Sequence, residues 1–302
     1  MARLEVPRQA ALAWASDIHL DHAGPVRADA FIASLAEAEP DGVLLGGDIS
    51  VGSDVVQDVL RIAAAVRRPV HFVMGNHDYW GWSVSGARSV LSRLTGPHLG
   101  WLPAVGCVEV AEGVGLVGHG GWGDARHGDL LNSDVVLNDY VHIKELEEVF
   151  VHGPDTWDLS GQQALVDRLQ QLGADAADTL EPALHTAASL YTQVIVLTHV
   201  PPFPEGAFRD GRPMAEAWLH GYTCGAMGEM LERMARSRRG TTFTVLCGHT
   251  HGEGRVEIRP NLVVHNGEAR YGHPRFRMLQ VSRDGIEVAS TAGAPALAGD
   301  EA

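Results

Sequence analysis

The sequence predicts a layered α/β fold whose sheet begins parallel and turns antiparallel near its end. Three features lead to that expectation. Short apolar runs alternate with helix-periodic stretches, the last runs succeed one another without a helix between them, and acidic, imidazole and amide side chains gather just after the runs.

The runs at 11–15, 43–45 and 70–74 read as buried strands, as do those at 114–117, 194–197 and 243–246. Between the first two, Phe31, Ile32, Leu35 and Ala36 recur at helical spacing. Ser53 is placed to cap a second helix whose Val55, Val59, Ile62 and Val66 line one face. This β-α-β-α-β order calls for parallel pairing. The runs at 262–265, 276–281 and 286–288 lack intervening helices, so antiparallel pairing is expected there. The stretch 129–190 reads as a helical elaboration on a single domain spanning 1–290. Ser160-Gly161-Gln162-Gln163 is a capping-box candidate before Leu165, Leu169 and Leu172, and Gly173 and Pro182 are expected to interrupt the later helical pattern. Residues 291–302, rich in Ala, Gly and Pro, are expected to be disordered.

With 302 residues and 45% hydrophobic composition, the chain can bury a large core without disulfides or a structural metal. Its formal charge of −15 repels polyanions and argues against nucleic-acid binding. Cys107, Cys224 and Cys247 are far apart, with no C-x-x-C pair, and read as reduced thiols. The apolar patch at 10–15 is too short for a signal segment, and no run reaches membrane-spanning length. A soluble, cytoplasmic protein is expected, with no membrane partner.

The chemistry lies at the strand ends. The first strand ends in Ser16-Asp17-Ile18-His19, the second in Gly46-Gly47-Asp48, and the third in Gly75-Asn76-His77-Asp78. The run at 194–197 leads into Thr198-His199, and that at 243–246 into Gly248-His249-Thr250-His251. Open α/β sheets bind ligands at this carboxyl edge. In an extended segment residues i and i+2 point the same way, so Asp17 with His19, and His249 with His251, are expected to face a common point. Glycines at 46, 47, 75 and 248 permit close backbone approach there. Mixed carboxylate and imidazole donors suit Zn, Fe or Mn.

Taken together, D-x-H, G-D, G-N-H-D, a lone His and G-H-x-H resemble the signature of the calcineurin-like metallophosphoesterases, complete and in order from residue 17 to 251. The resemblance implies a four-layer αββα sandwich of two mixed sheets flanked by helices. It also implies two metal ions: one held by Asp17, His19, Asp48 and His251, the other by Asp48, Asn76, His199 and His249, with Asp48 bridging. His77 would stand beside the ions as general acid, oriented by a hydrogen bond to Asp78. Two divalent ions about 3.5–4 Å apart would activate a bridging water for in-line attack on phosphorus. The expected substrate is a small phosphorylated or nucleotide-type molecule, monoester or diester. The alternatives are a metal-dependent nuclease or a non-catalytic protein of the same fold. Gly47-Asp48-Ile49-Ser50-Val51-Gly52 departs from the G-D-x-V-D-R-G of serine/threonine phosphoprotein phosphatases, so that subclass is not expected.

Outside the signature, His119 and Trp122 either line the cleft or belong to a Gly-rich turn that packs Trp122 inward. Arg209, Arg212 and Trp218 lie in a loop that could reach substrate phosphate, and Arg270 to His273 come after a strand near the same edge. Cys247 reads as a buried small hydrophobe.

Overall fold

The computed structural model describes residues 6–94, 98–150 and 159–289. Alternation along the first strand explains the layering. In β1 (Gln9–Ala15), Ala10, Leu12 and Trp14 point to one face, and Ala13 and Ala15 to the other. The first set packs with Leu44 and Val73 against Leu116, Ile195, Leu197 and Leu246 of a second sheet. The second set packs under helices α1 (Leu20–Glu37) and α2 (Asp54–Val66), through Phe31, Leu35, Val55, Val59 and Ile62. Helices at Leu159–Leu190 and Gly225–Ser237 cover the outer face of the second sheet, completing four layers.

The first sheet has the order β14-β13-β1-β2-β3-β4, where β2 is Gly42–Gly46, β3 Val70–Val73, β4 Leu99–Trp101, β13 Arg277–Ser282 and β14 Gly285–Val288. Strands β1 to β4 are parallel, and β13 and β14 add antiparallel. The second sheet has the order β11-β12-β10-β7-β6-β5, where β5 is Val108–Ala111, β6 Val114–Gly118, β7 Gln193–Leu197, β10 Thr242–Cys247, β11 Gly254–Arg259 and β12 Leu262–Asn266. A short hairpin, β8 (Phe208–Arg209) and β9 (Arg212–Pro213), stands apart.

The structure departs from several expectations. Strand β12 runs parallel to β10, because the unforeseen β11 returns the chain along the sheet edge first. Ser53 does not cap α2: it already has helical dihedrals, and its side chain makes no cap bond. Gly173 and Pro182 do not interrupt the long helix, which runs unbroken through both. A side chain at Gly173 would collide with Asp124, so that glycine serves close packing. Burial of Leu180, Leu184 and Ala187 offsets the bond that Pro182 forfeits. The capping-box reading at Ser160 and the tail at 291–302 fall outside the described side chains and residues. Among the described residues, no helix is long and apolar enough to cross a membrane.

Candidate metal centre

The five signature segments leave β1, β2, β3, β7 and β10 at their carboxyl ends, three from one sheet and two from the other. Beyond β1 and β2 the pairing continues as a ladder of loop bonds. The Asp17 N–H donates to the Gly47 carbonyl (2.9 Å), the His19 N–H to the Asp48 carbonyl (3.0 Å) and the Leu20 N–H to the Ile49 carbonyl (3.0 Å). Across the sheets, the His249 N–H donates to both Asp17 carboxylate oxygens, at 2.9 and 3.1 Å. The fit is close. A Cβ on Gly248 would strike the Asp17 carboxylate, and one on Gly75 would strike that of Asp48.

Strand-like alternation does not produce the paired ligands. These segments are not extended: Asp17, His19, Asp48, His249 and His251 have φ of 54°, 39°, 49°, 69° and 58°. Left-handed backbone costs a non-glycine residue about 1–2 kcal/mol, and here ladder bonds and burial hold it. Asp17 and His19 nevertheless share one donor set, as expected, whereas His249 and His251 part. His251 joins Asp17 and His19, whereas His249 joins Asp48 and His199.

Within each set the donor atoms lie within 4.8 Å of one another. His251 Nε2 is 3.4 Å from Asp17 Oδ1 and 3.3 Å from His19 Nε2. Asp48 faces both ways: Oδ2 is 3.7 Å from His19 Nε2, and Oδ1 is 3.5 Å from His199 Nε2. Asn76 Oδ1 is 3.0 Å from His199 Nε2. Partners outside the cluster set the tautomers. His199 Nδ1 donates to the Gly46 carbonyl (3.1 Å), and His249 Nε2 donates to the Gly221 carbonyl (3.0 Å). Each leaves its other ring nitrogen as a lone pair toward the cluster.

The electrostatics suit cations. Burial pushes His19 down to about 2 and His199 down to about 3, and it lowers His249 too, so these rings are neutral donors at pH 7. Burial, then the neighbouring charges of Asp17 and Asp78, raises the Asp48 carboxyl well above its ordinary range. Burial also works against ionisation of Asp17, but the nearby imidazoles, His199 foremost, hold it low. Among the described residues no Lys or Arg pairs with Asp17 or Asp48; their ion-pair partners are histidines. Two buried carboxylates ringed by imidazole lone pairs fit divalent ions by donor type and by charge.

Asp78 departs from its expected role. Its carboxylate accepts backbone N–H groups of Ile49 (2.9 Å), Ser50 (3.0 Å) and Gly75 (2.8 Å), pinning the second and third loops together. His77 Nδ1 has no hydrogen-bond partner, and its ring stacks on Trp80 instead, with centroids 3.8 Å apart and planes at 22°.

His119 and Trp122 do not line the cleft. His119 is buried and accepts the Gly121 N–H, and Trp122 packs on Tyr79. Asp124 of the same turn accepts N–H groups of Gly225 and Ala226, bracing the start of the Gly225–Ser237 helix. Arg209 does line a cleft beside the cluster, with Tyr222, His249, His251 and Tyr271. Arg212, Trp218, Arg270 and His273 do not line it, although Trp218 lies 5.9 Å beneath the Arg209 guanidinium. Cys247 is buried and donates to the His265 carbonyl, as a small core residue would. Of the segment Arg270 to His273 it is Tyr271, not singled out from sequence, that packs on His19 and His251, with ring centroids 4.5 and 4.9 Å apart. Sequence reasoning missed Asp139, which touches Asn76. Asp139 lies in no recognisable motif.

A family model for calcineurin-like phosphoesterases matches residues 11–253. Among solved structures, a dimetal phosphatase from Danio rerio is 17% identical, with a TM-score of 0.51 over 93% of this chain and 99% of that one. The phosphopantetheinyl hydrolase of Mycobacterium tuberculosis is 14% identical, with a TM-score of 0.54 over 88% and 92%. GAP50, the anchor in the inner membrane complex of Plasmodium, is 10% identical, with a TM-score of 0.52 over 95% and 85%. At such identities the likeness is one of fold. A search of curated proteins found no match.

Proposed function

The chain belongs to the calcineurin-like phosphoesterase family, and on that premise we propose that it hydrolyses small phosphorylated or nucleotide-type esters at a binuclear metal centre. Asp48 carries this reading, as one buried carboxylate whose two oxygens face different sets of donors. In this reading Asp17, His19, Asp48 and His251 hold one ion, and Asp48, Asn76, His199 and His249 hold the other. The donor set suits Mn, Fe or Zn. When bound, the ions would supply Lewis acidity, neutralising phosphoryl charge and lowering the pKa of a shared water.

The rest of the chemistry falls to side chains. Hydrolysis joins a water oxygen to phosphorus and breaks the bond to the leaving oxygen, which needs a proton. His77 is the candidate donor: its Nε2 lies 4.0 Å from Asp48 Oδ2, at the margin of the cluster. Burial pushes this imidazole down to about 3, so the ring is neutral until anionic phosphoryl oxygens arrive beside it and favour the imidazolium. Stacking on Trp80 holds the ring in place for that transfer. Arg209, on the neighbouring cleft wall, can meet a second anionic group of the substrate.

A nuclease would be served by a basic groove, and the charge of −15 argues against one. A fold shared with an anchor protein such as GAP50 does not by itself entail catalysis. A purely structural member would be free to lose ligands, however, and this chain retains the full set and His77. The deciding assay compares p-nitrophenyl phosphate, bis-p-nitrophenyl phosphate, cyclic nucleotides, and nucleoside di- and triphosphates, with Mn²⁺ added and with EDTA. EDTA-sensitive turnover of at least one is expected. No turnover by a chain shown to hold two ions would refute the proposal.

A further inference from the structure

The segment after Asn138 reaches back to the third ligand loop and grips it along its length. Asp139 Oδ1 accepts two hydrogen bonds, from Asn76 Nδ2 and from Trp80 Nε1, both 2.8 Å. The His142 carbonyl accepts the Gly81 N–H (2.8 Å), and the Lys144 N–H donates to the Trp82 carbonyl (3.2 Å). The Glu145 carboxylate accepts the N–H groups of Val84 and Ser85, at the start of helix α3 (Val84–Leu91).

The bond to Asn76 has a chemical consequence. A carboxamide presents either oxygen or nitrogen, and only oxygen can bind a cation. A carboxylate cannot donate, so Asp139 accepts from the amide nitrogen and turns Oδ1 of Asn76 toward His199 Nε2, 3.0 Å away. Through its second bond the same Asp139 oxygen fixes the indole on which His77 stacks. Asp139 is buried, so water does not compete for it. We propose that Asp139 is a positioning residue, holding Asn76 with its oxygen toward the metal centre and Trp80 as the platform for His77. The Asn76 half rests on the ligand assignment above, but not on any substrate.

Metal binding separates the two. Asp139→Ala, loaded with Mn²⁺ and followed by calorimetry and elemental analysis, is expected to keep one tight ion. It should bind the second about 10- to 100-fold more weakly, the loss typical when a ligand's supporting partner is removed. Asp139→Asn keeps the volume and one neutral acceptor, so it should fall between Ala and wild type, and it serves as the test if the alanine variant fails to fold. Trp80→Phe keeps a stacking ring and leaves Asp139 wholly to Asn76. It should bind both ions normally and show a lowered kcat with an unchanged KM.

Wild-type affinity for both ions in a folded Asp139→Ala or Asp139→Asn chain would overturn the proposal. Loss of the second ion in Trp80→Phe would also overturn it, because the indole would then be supporting the ligand directly. If the wild-type chain binds two ions but cleaves no ester, the proposed function fails while the metal result for Asp139 stands.

Discussion

Asp48→Asn should make the metal-free protein more stable and the metal-loaded protein less so. The cause is the burial of a carboxylate among other acids. Desolvation and the charges of Asp17 and Asp78 raise its pKa, and the main opposing influence is the His77 N–H at 2.9 Å. Asparagine retains an oxygen for that N–H while removing the charge. Each unit of raised pKa costs about 1.4 kcal/mol at a pH where the unfolded chain would be ionised. A more stable apo protein, seen as a higher Tm at neutral pH, is therefore expected of the variant. The pH dependence comes from the sign of the shift. A carboxyl whose folded pKa is raised contributes fully below its unfolded value, near 3.8, and that contribution is lost as pH rises through the folded pKa. The two proteins should therefore melt alike near pH 4 in EDTA and diverge toward pH 7.5. With Mn²⁺ the order should reverse, because an ion at 100 times its Kd adds about 2.7 kcal/mol per site to the wild type. Thermal melts of both proteins in EDTA and in Mn²⁺, across that pH range, supply the test. An Asn variant no more stable than wild type in EDTA at pH 7.5 would refute the charge argument. Two tightly bound ions in that variant would refute the bridging role.

His251→Ala removes a donor from one set only, so elemental analysis should find about one ion lost per chain and the other retained. His77→Ala should slow alkyl phosphates by about 10²–10⁴-fold and p-nitrophenyl esters much less, with metal content unchanged; equal losses would make His77 a substrate-positioning group. Small esters should outpace plasmid and single-stranded DNA at physiological salt, because the net charge of −15 opposes long polyanions; faster cleavage of DNA than of every small ester would promote the nuclease reading.

The strands and ligand loops are legible in the sequence because each depends on local pattern: an apolar run, then glycine and donor side chains at its end. What escapes depends on partners distant in sequence. Gly173 looks like a breaker until Asp124 is seen pressed against it. Asp78 looks like a partner for the adjacent His77, yet three backbone N–H groups from neighbouring loops claim its carboxylate. Nothing in the periodicity of the 129–190 stretch marks Asp139 as the residue that meets Asn76. Strand β11 escapes notice because it holds no continuous apolar run: Val256 and Ile258 alternate with Arg255, Glu257 and Arg259, which occupy its other face.

Two of the three candidate donor sets draw on both sheets, while the third, His19, Asp48 and His77, sits on loops of the first sheet alone. His251 comes from the second sheet to join Asp17 and His19 of the first, and Asp48 comes from the first to join His199 and His249 of the second. Neither of these two sets exists on a nascent chain until residue 249 for one, and 251 for the other, has left the ribosome and the sheets have closed over Leu12 and Trp14. Ions would then act as rivets between two halves made far apart in time. Chelation should loosen the seam between the sheets before either sheet frays, an order that amide hydrogen exchange would reveal.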